Sequence, residues 1–199
     1  MSLIVVPLRL LKHQIRSSDN KSFLQRVFYV CMKTHHYKTP ESFDDLLLQS
    51  DGEALTGLWF EGAREADFVE PCQGAALPPV IADTCRWLDI YFSGRQPDFT
   101  PACRIDGLTP FRKEVSEIMR RIPFGKTLTY GEIASKIAQR HGIPKMSAQA
   151  VGGAVGWNPI CIIIPCHRVI GANGHLTGYG GGIHNKIALL RLEGHEVNG

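Results

Sequence analysis

Three helix starts, each with a capping side chain, follow one another from Thr109 to Ser147, and they constrain this chain more than any other feature. Thr109 precedes Pro110 and an apolar stripe of Phe111, Val115, Met119 and Ile122 that ends at Phe124-Gly125. Thr129-Tyr130-Gly131-Glu132 has the spacing of a capping box ahead of Ile133, Ile137 and Ala138, and Gly142 and Pro144 close that helix. Ser147 can cap a third helix over residues 148–155, ended by Gly156 and Pro159. The last two, joined by a short glycine-containing turn, predict a helix-turn-helix. The third helix is nearly bald, with Ala148, Ala150, Gly152, Gly153 and Ala154, although each glycine costs about 1 kcal/mol relative to alanine. Such residues let a helix pack closely on the core or press its backbone into a nucleic-acid groove; composition alone favours packing.

The preceding region reads as a small α/β unit. Residues 43–48 and 54–60 are expected strands around the turn Gln49-Ser50-Asp51-Gly52, although Asp44 and Asp45 are poor strand formers. Pro79–Phe92 is an expected amphipathic helix carrying Ile81, Cys85, Leu88 and Phe92, and residues 96–108 a linker. No residue here suggests chemistry. Residues 1–31 carry five basic residues against Asp19 alone, which resembles a targeting segment, but Pro7 interrupts the short apolar run. A disordered extension, or a start at Met32, is the simpler expectation.

Charge is unevenly spread. From Asp106 onward 11 Lys/Arg stand against 6 Asp/Glu, whereas the first 105 residues balance to −2, so the C-terminal half suits a polyanionic partner. No apolar run approaches the roughly 20 residues that cross a bilayer, so no membrane span is expected. The six cysteines form no C-x-x-C pair, and Cys161 has no second ligand cluster near Cys166-His167. Neither a disulfide framework nor a metal site is therefore expected, and reduced thiols fit a cytoplasmic or nuclear-type compartment.

The apolar, β-branched run 160–164 is expected to be a buried strand that delivers Pro165-Cys166-His167-Arg168-Val169. Only a thiolate attacks, and free thiol has a pKa of ~8.5, so a neighbouring base matters. His167 could be that base if an acid orients it. Taken alone, the dipeptide fits a buried cysteine beside a satisfied histidine at least as well. Downstream, Asn173-Gly174 is an expected turn and residues 178–182 a flexible loop where backbone can approach a ligand. Residues 183–193 are an expected helix that buries Ile183, Ile187 and Leu190, with Glu193 at its end.

Ile164-Pro165-Cys166-His167-Arg168-Val169, with Asn158-Pro159 before it and Gly178-Tyr179-x-Gly181-Gly182-Ile183 after it, resembles the O6-alkylguanine-DNA alkyltransferases. Ile122-Pro123-Phe124-Gly125, Thr129-Tyr130-Gly131-Glu132-Ile133-Ala134 and Ala150-Val151-Gly152-Gly153-Ala154 match that family in order and spacing, and residues 55–62 resemble its N-terminal domain. The resemblance runs from about Tyr37 to Glu193. It implies a ribonuclease H-like domain over residues 37–105, after an extension of residues 1–36, and a winged helix-turn-helix domain over 106–199. It also implies that the bald helix enters the DNA minor groove while the damaged base is flipped into a pocket.

Carried over, the resemblance makes Cys166 the thiolate that attacks the alkyl carbon, with His167, through a water and linked to Glu193, keeping it deprotonated. Tyr130 would donate a hydrogen bond to the leaving guanine, Asn158 would position the site, and Val169, Tyr179, Gly180 and Gly181 would hold the base. Lys145, Gln149, Ala150, Gly152 and Arg168 would face DNA. The partner is double-stranded DNA bearing O6-alkylguanine; neither cofactor nor metal is needed, and a monomer is implied. Two positions depart from the family: Gln149 replaces the arginine that fills the gap left by the flipped base, and Ser116 stands where tryptophan is frequent. The glutamine predicts weaker flipping and DNA binding unless Lys145 or Gln149 itself substitutes. A damage-binding module without transfer is disfavoured by the presence of Cys166. A cysteine hydrolase would leave the helix-turn-helix unexplained, and a transcription regulator of this type would carry a cysteine-rich metal domain that is not seen.

Overall fold

The computed structural model describes residues 33–63 and 77–197. The readings of residues 1–31 and of a start at Met32 lie outside them. Strands β1 (Lys33–Tyr37), β2 (Leu46–Ser50) and β3 (Leu55–Phe60) form an antiparallel meander in chain order. Leu46, Leu48, Leu58 and Phe60 turn into the core, and Leu47 pairs with Trp59 across β2 and β3 in a separate small cluster. β2 begins later than the expected 43–48: a strand through Asp44 would put its carboxylate on the core face with Leu46 and Leu48, whereas ahead of the strand it meets His184 and Asn185 instead. It also extends through Gln49 and Ser50, so the turn rests on Asp51, whose Oδ1 accepts the N–H groups of Glu53 (2.9 Å) and Ala54 (2.8 Å). β1 escaped the sequence reading because an edge strand of mostly polar residues carries no hydrophobic alternation. Residues 33–36 thus belong to the sheet rather than to an extension ending at residue 36.

The outer edge of β3 is closed by irregular chain. Leu55 N–H donates to Ala102 O (2.7 Å) and Arg104 N–H to Leu55 O (2.9 Å); Leu58 N–H donates to Pro159 O (2.8 Å) and Cys161 N–H to Leu58 O (3.0 Å). The expected linker is therefore pinned to the sheet, and so is the segment that leads to Cys166. These bonds satisfy donors and acceptors that a bare edge would leave open.

Helix α1 (Pro79–Phe92) has the expected bounds and buries Val80, Ile81, Thr84, Trp87, Leu88 and Tyr91, with Cys85 and Phe92 at the margin. In α2 (Pro110–Arg120), Thr109 Oγ1 accepts Arg112 N–H (3.3 Å), and Val115, Ser116, Ile118 and Met119 are buried. After β4 (Leu128–Thr129) comes α3 (Tyr130–His141), whose capping box is complete: Thr129 N–H donates to Glu132 Oε2 (2.6 Å) and Glu132 N–H to Thr129 Oγ1 (3.1 Å). Gly142 ends α3 at φ 63°, where any other residue would be strained. Helix α4 (Ala148–Gly156), capped by Ser147, packs on α3 as a helix-turn-helix.

The side chains of α4 decide between the two readings of its baldness. Val151, Ala154 and Val155 are buried, while Ala148, Gln149, Ala150 and Gly153 are exposed. Most of the small residues therefore lie on the outer face and are not what lets the core close.

Residues 160–164 are buried, as expected, but they are not a strand. Ile162 adopts φ 64°, Ile164 N–H folds back to Ile160 O (3.2 Å), and Ile160 bridges only to Leu58. A left-handed β-branched residue costs roughly 1–2 kcal/mol, which the buried surroundings must over-determine. A short helical turn, Cys166–Arg168, leads into β5 (Val169–Ile170), which pairs in parallel with β4. Helix α5 (Ile183–Leu192) completes the chain, but its buried face is Asn185, Lys186, Leu189 and Leu190; Ile183 is 42% exposed and Ile187 only half-buried. One core cluster joins sheet and helices, and the described residues from Lys33 onward make one compact unit. Among the described residues no helix is long and apolar enough to cross a membrane.

Candidate active site

Cys166 opens the helical turn at the foot of a cavity lined by Tyr130, Gly152, Asn158, Cys161, Lys186 and the loop residues Gly178 to Gly181, with Phe60 from the sheet. Its placement depends on Asn158. The Nδ2 group of Asn158 donates to Ile164 O (2.8 Å), Ile160 O (3.1 Å) and Cys166 Sγ (3.0 Å), while its Oδ1 accepts Ile160 N–H (3.2 Å). One side chain thus gathers the coiled 160–164 segment and touches the sulfur. Burial pushes the Cys166 thiol up, and the Asn158 amide, followed by the Tyr179 hydroxyl, opposes this by favouring the thiolate.

Behind the cysteine lies a buried charged network. His167 Nε2 meets Glu193 Oε1 at 2.8 Å, which assigns the Nε2–H tautomer and leaves Nδ1 a lone pair; Nδ1 is buried with no hydrogen-bond partner in the protein. Arg168 grips the same carboxylate through Nε (2.9 Å to Oε2) and Nη2 (2.9 Å to Oε1), and its Nη1 donates to Ile122 O (2.6 Å). Gly125 N–H supplies a further donor to Oε2 at 3.1 Å. Burial pushes the Glu193 carboxyl up, but His167 and Arg168 hold it well below the usual carboxylate range. Burial keeps His167 below its ordinary value, so it is neutral at neutral pH. A neutral imidazole beside an ionised carboxylate is the resting form of a general base.

Of the expected site residues, the structure pairs His167 with Glu193 immediately after Cys166 in the chain, sets Asn158 on the thiol, and places Tyr130, Tyr179, Gly180 and Gly181 around the cavity. Tyr130 hydroxyl accepts Thr177 Oγ1 (3.1 Å), and Gly152 packs on its ring, where an added Cβ would stand 3.8 Å away. Lys145, Gln149 and Ala150 are exposed around the start of α4. One expectation fails. Arg168 is buried with its donors committed to Glu193 and Ile122, so it cannot reach DNA. Val169 is fully buried in β5, its N–H bonded to Cys166 O; its carbonyl accepts Lys186 Nζ (2.7 Å) and keeps a second lone pair.

Sequence reasoning missed Lys186, Asn185 and Tyr91. Lys186 is a buried amine at the cavity wall, and burial lowers its pKa. Asn185 ties the loop down: its Nδ2 donates to Gly181 O (2.6 Å) and Asp44 Oδ2 (2.8 Å), and Oδ1 accepts Asp44 N–H (3.0 Å). Tyr91 hydroxyl donates to Glu193 Oε1 at 2.7 Å. The available signal was positional: Lys186 stands one turn before Leu190, a residue expected on the buried face, and Tyr91 one turn after Leu88.

The same arrangement accounts for what the chain is similar to. Residues 110–195 match the family model described as 6-O-methylguanine DNA methyltransferase, DNA binding domain. The methylated-DNA–protein-cysteine methyltransferase of Methanosarcina acetivorans is 50% identical over 149 residues, covering 75% of this chain and 91% of that protein; the one from Mycobacterium leprae is 42% identical over 154 residues, covering 76% and 87%. The crystal structure of Mycobacterium tuberculosis OGT in complex with DNA superposes with a TM-score of 0.65 at 40% identity, covering 81% of this chain and 91% of that one. Relatives this similar, along most of their own length, establish that the chain belongs to the methylated-DNA–protein-cysteine methyltransferase family.

Proposed function

We infer that this protein reverses DNA alkylation directly, moving the alkyl group of O6-alkylguanine in duplex DNA onto Cys166 in a single, irreversible turnover. The observation that carries the reading is Cys166 in a cavity beside the small-residue helix of a helix-turn-helix, next in sequence to the buried His167–Glu193 pair. The sulfur lone pair forms the bond to the alkyl carbon as the carbon–O6 bond breaks, and its electron pair passes to guanine. The partnerless Nδ1 of His167 suits a water that relays the thiol proton to the imidazole. Tyr130 hydroxyl, in the cavity wall, donates to the base as negative charge develops there, a contribution that strengthens as water leaves the site. The thioether is stable, so the protein does not turn over and needs no cofactor.

Within this reading, residues 33–105 make up a ribonuclease H-like domain and 106–199 a winged helix-turn-helix domain, in a monomer working in the cytoplasm. The meander packed against α1 and the short parallel β4–β5 pair after the helix-turn-helix support that division. The exposed Ala150 and Gly153 let α4 approach a groove floor closely, with Lys145 and Gln149 at its N-terminal end. Minor-groove contacts offset the few kcal/mol of flipping a base.

The test is the intact mass of the protein after mixing with a duplex carrying one O6-methylguanine. A gain of one methylene, with the DNA restored to guanine, is expected; tight binding without mass change would favour a damage sensor instead. Because Gln149 places no charge at its position, Gln149→Arg should tighten duplex binding about fivefold and steepen its salt dependence by about one unit of log–log slope. Unchanged affinity and slope would show that position 149 does not meet DNA.

A further inference from the structure

We propose that Tyr91 is a positioning residue for alkyl transfer: from α1 it holds Glu193 and shares with His167 the same carboxylate oxygen, and so governs how firmly His167 keeps the proton taken from Cys166. The inference rests on the functional reading above and extends it to a helix outside the segment matched by the family model.

The geometry concentrates on Glu193 Oε1. Tyr91 hydroxyl donates to it at 2.7 Å and lies 3.3 Å from His167 Nε2, which meets the same oxygen at 2.8 Å; Arg168 Nη2 adds a third close donor at 2.9 Å. Arg168 Nε adds a longer contact to the same oxygen at 3.1 Å. An oxygen with two lone pairs cannot serve four donors fully, so each one weakens the others' hold. Tyr91 is fully buried. Its ring is stacked on Trp87 (5.3 Å, 8°) and set edge-on to Phe124 (5.9 Å) and His167 (6.4 Å), so the hydroxyl has one available direction. Phenylalanine would fill the same space. Burial and the neighbouring Glu193 keep the phenol protonated, hence always a donor.

The charged groups facing His167 and Glu193 are Arg168 from the same turn and Lys186 from α5, with the Cys166 thiol beside Lys186. None of these changes in a Tyr91→Phe variant. What changes is that Oε1 loses one donor, its charge is less shared, and an imidazolium at position 167 is better stabilised. His167 then holds its proton more firmly, and the neutral imidazole that can take the thiol proton is reached only at higher pH.

The experiment is single-turnover methyl transfer from an O6-methylguanine duplex at saturating full-length protein, followed from about pH 5 to 9. The proteins compared are wild type, Tyr91→Phe, and Trp87→Leu, which loosens the aromatic cluster but keeps the hydroxyl. In Tyr91→Phe the midpoint of the rising limb should rise by about half a pH unit, with affinity for the duplex unaltered, while Trp87→Leu keeps the wild-type midpoint at lower thermal stability. A Tyr91→Phe midpoint that stays in place or falls would overturn the inference, as would an equal shift in both variants. A wild type that transfers no methyl would instead bring down the functional reading itself, a distinct result.

Discussion

A Cys166→Ala variant will bind an O6-methylguanine duplex about as tightly as the wild type and will gain no mass from it, however long the two are mixed. The loss is complete because no other described thiol can take over. Cys161 also lines the cavity, but its burial, which the substitution leaves in place, pushes its thiol well up and disfavours the thiolate. Cys85 and Cys103 lie outside the cavity, and burial pushes their thiols up as well. Binding survives because Sγ makes its hydrogen bond to Asn158 and touches no residue on the exposed face of α4. Removing it leaves Asn158 Nδ2 with the carbonyls of Ile160 and Ile164, so the coiled segment keeps its anchor. Mass spectrometry and a duplex-binding titration on one preparation check both halves. A methylated Cys166→Ala protein would move the nucleophile elsewhere, and a variant that lost DNA binding would mean that the thiol supports the fold.

What the sequence revealed, and what it hid, follows from the range of the interactions. Capping residues act within one turn, so Thr109, Thr129 and Ser147 marked helix starts that the structure places where expected. The Cys-His pair was visible as chemistry, but the turn that presents it was not. A run of isoleucines reads as a strand unless one knows that Asn158 collects its carbonyls and that only Leu58 bridges to it. Arg168 was misread because an arginine in a basic domain is by default a surface charge; its burial depends on Glu193, 25 residues away, and on Ile122, 46 residues away. Tyr91 lies 102 residues from its partner, in a helix with no local sign of function. Lys186 and Asn185 occupy a helix face that pattern alone would give to Ile183 and Ile187, because buried polar residues that find partners look, in one dimension, like errors in the apolar stripe.

Arg168 therefore sets up the second large effect. Arg168→Met should destabilise the fold by about 3–5 kcal/mol, because it leaves the Glu193 carboxylate buried without its cation. A melting temperature lower by roughly 10 °C would be the visible result. The pH dependence gives the mechanism a sign. In the wild type the folded Glu193 carboxyl lies below its ordinary 4.5, so its contribution is present above that value and is lost as pH falls through the folded pKa. His167, also lowered, contributes above its ordinary 6.5 and adds to the loss on acidification. Without Arg168, burial dominates Glu193 and raises its pKa, so the folded variant takes up a proton. The destabilisation of Arg168→Met relative to wild type should then be greatest near neutral pH and shrink as the carboxyl is protonated. Adding Glu193→Gln removes the orphaned charge, and the double variant should recover a substantial part of the lost stability, which denaturant titrations of the four proteins would measure. Duplex affinity and its salt slope, taken where Arg168→Met is still folded, should match the wild type. A slope reduced by about one would instead return Arg168 to the DNA surface and undo its assignment to the buried network.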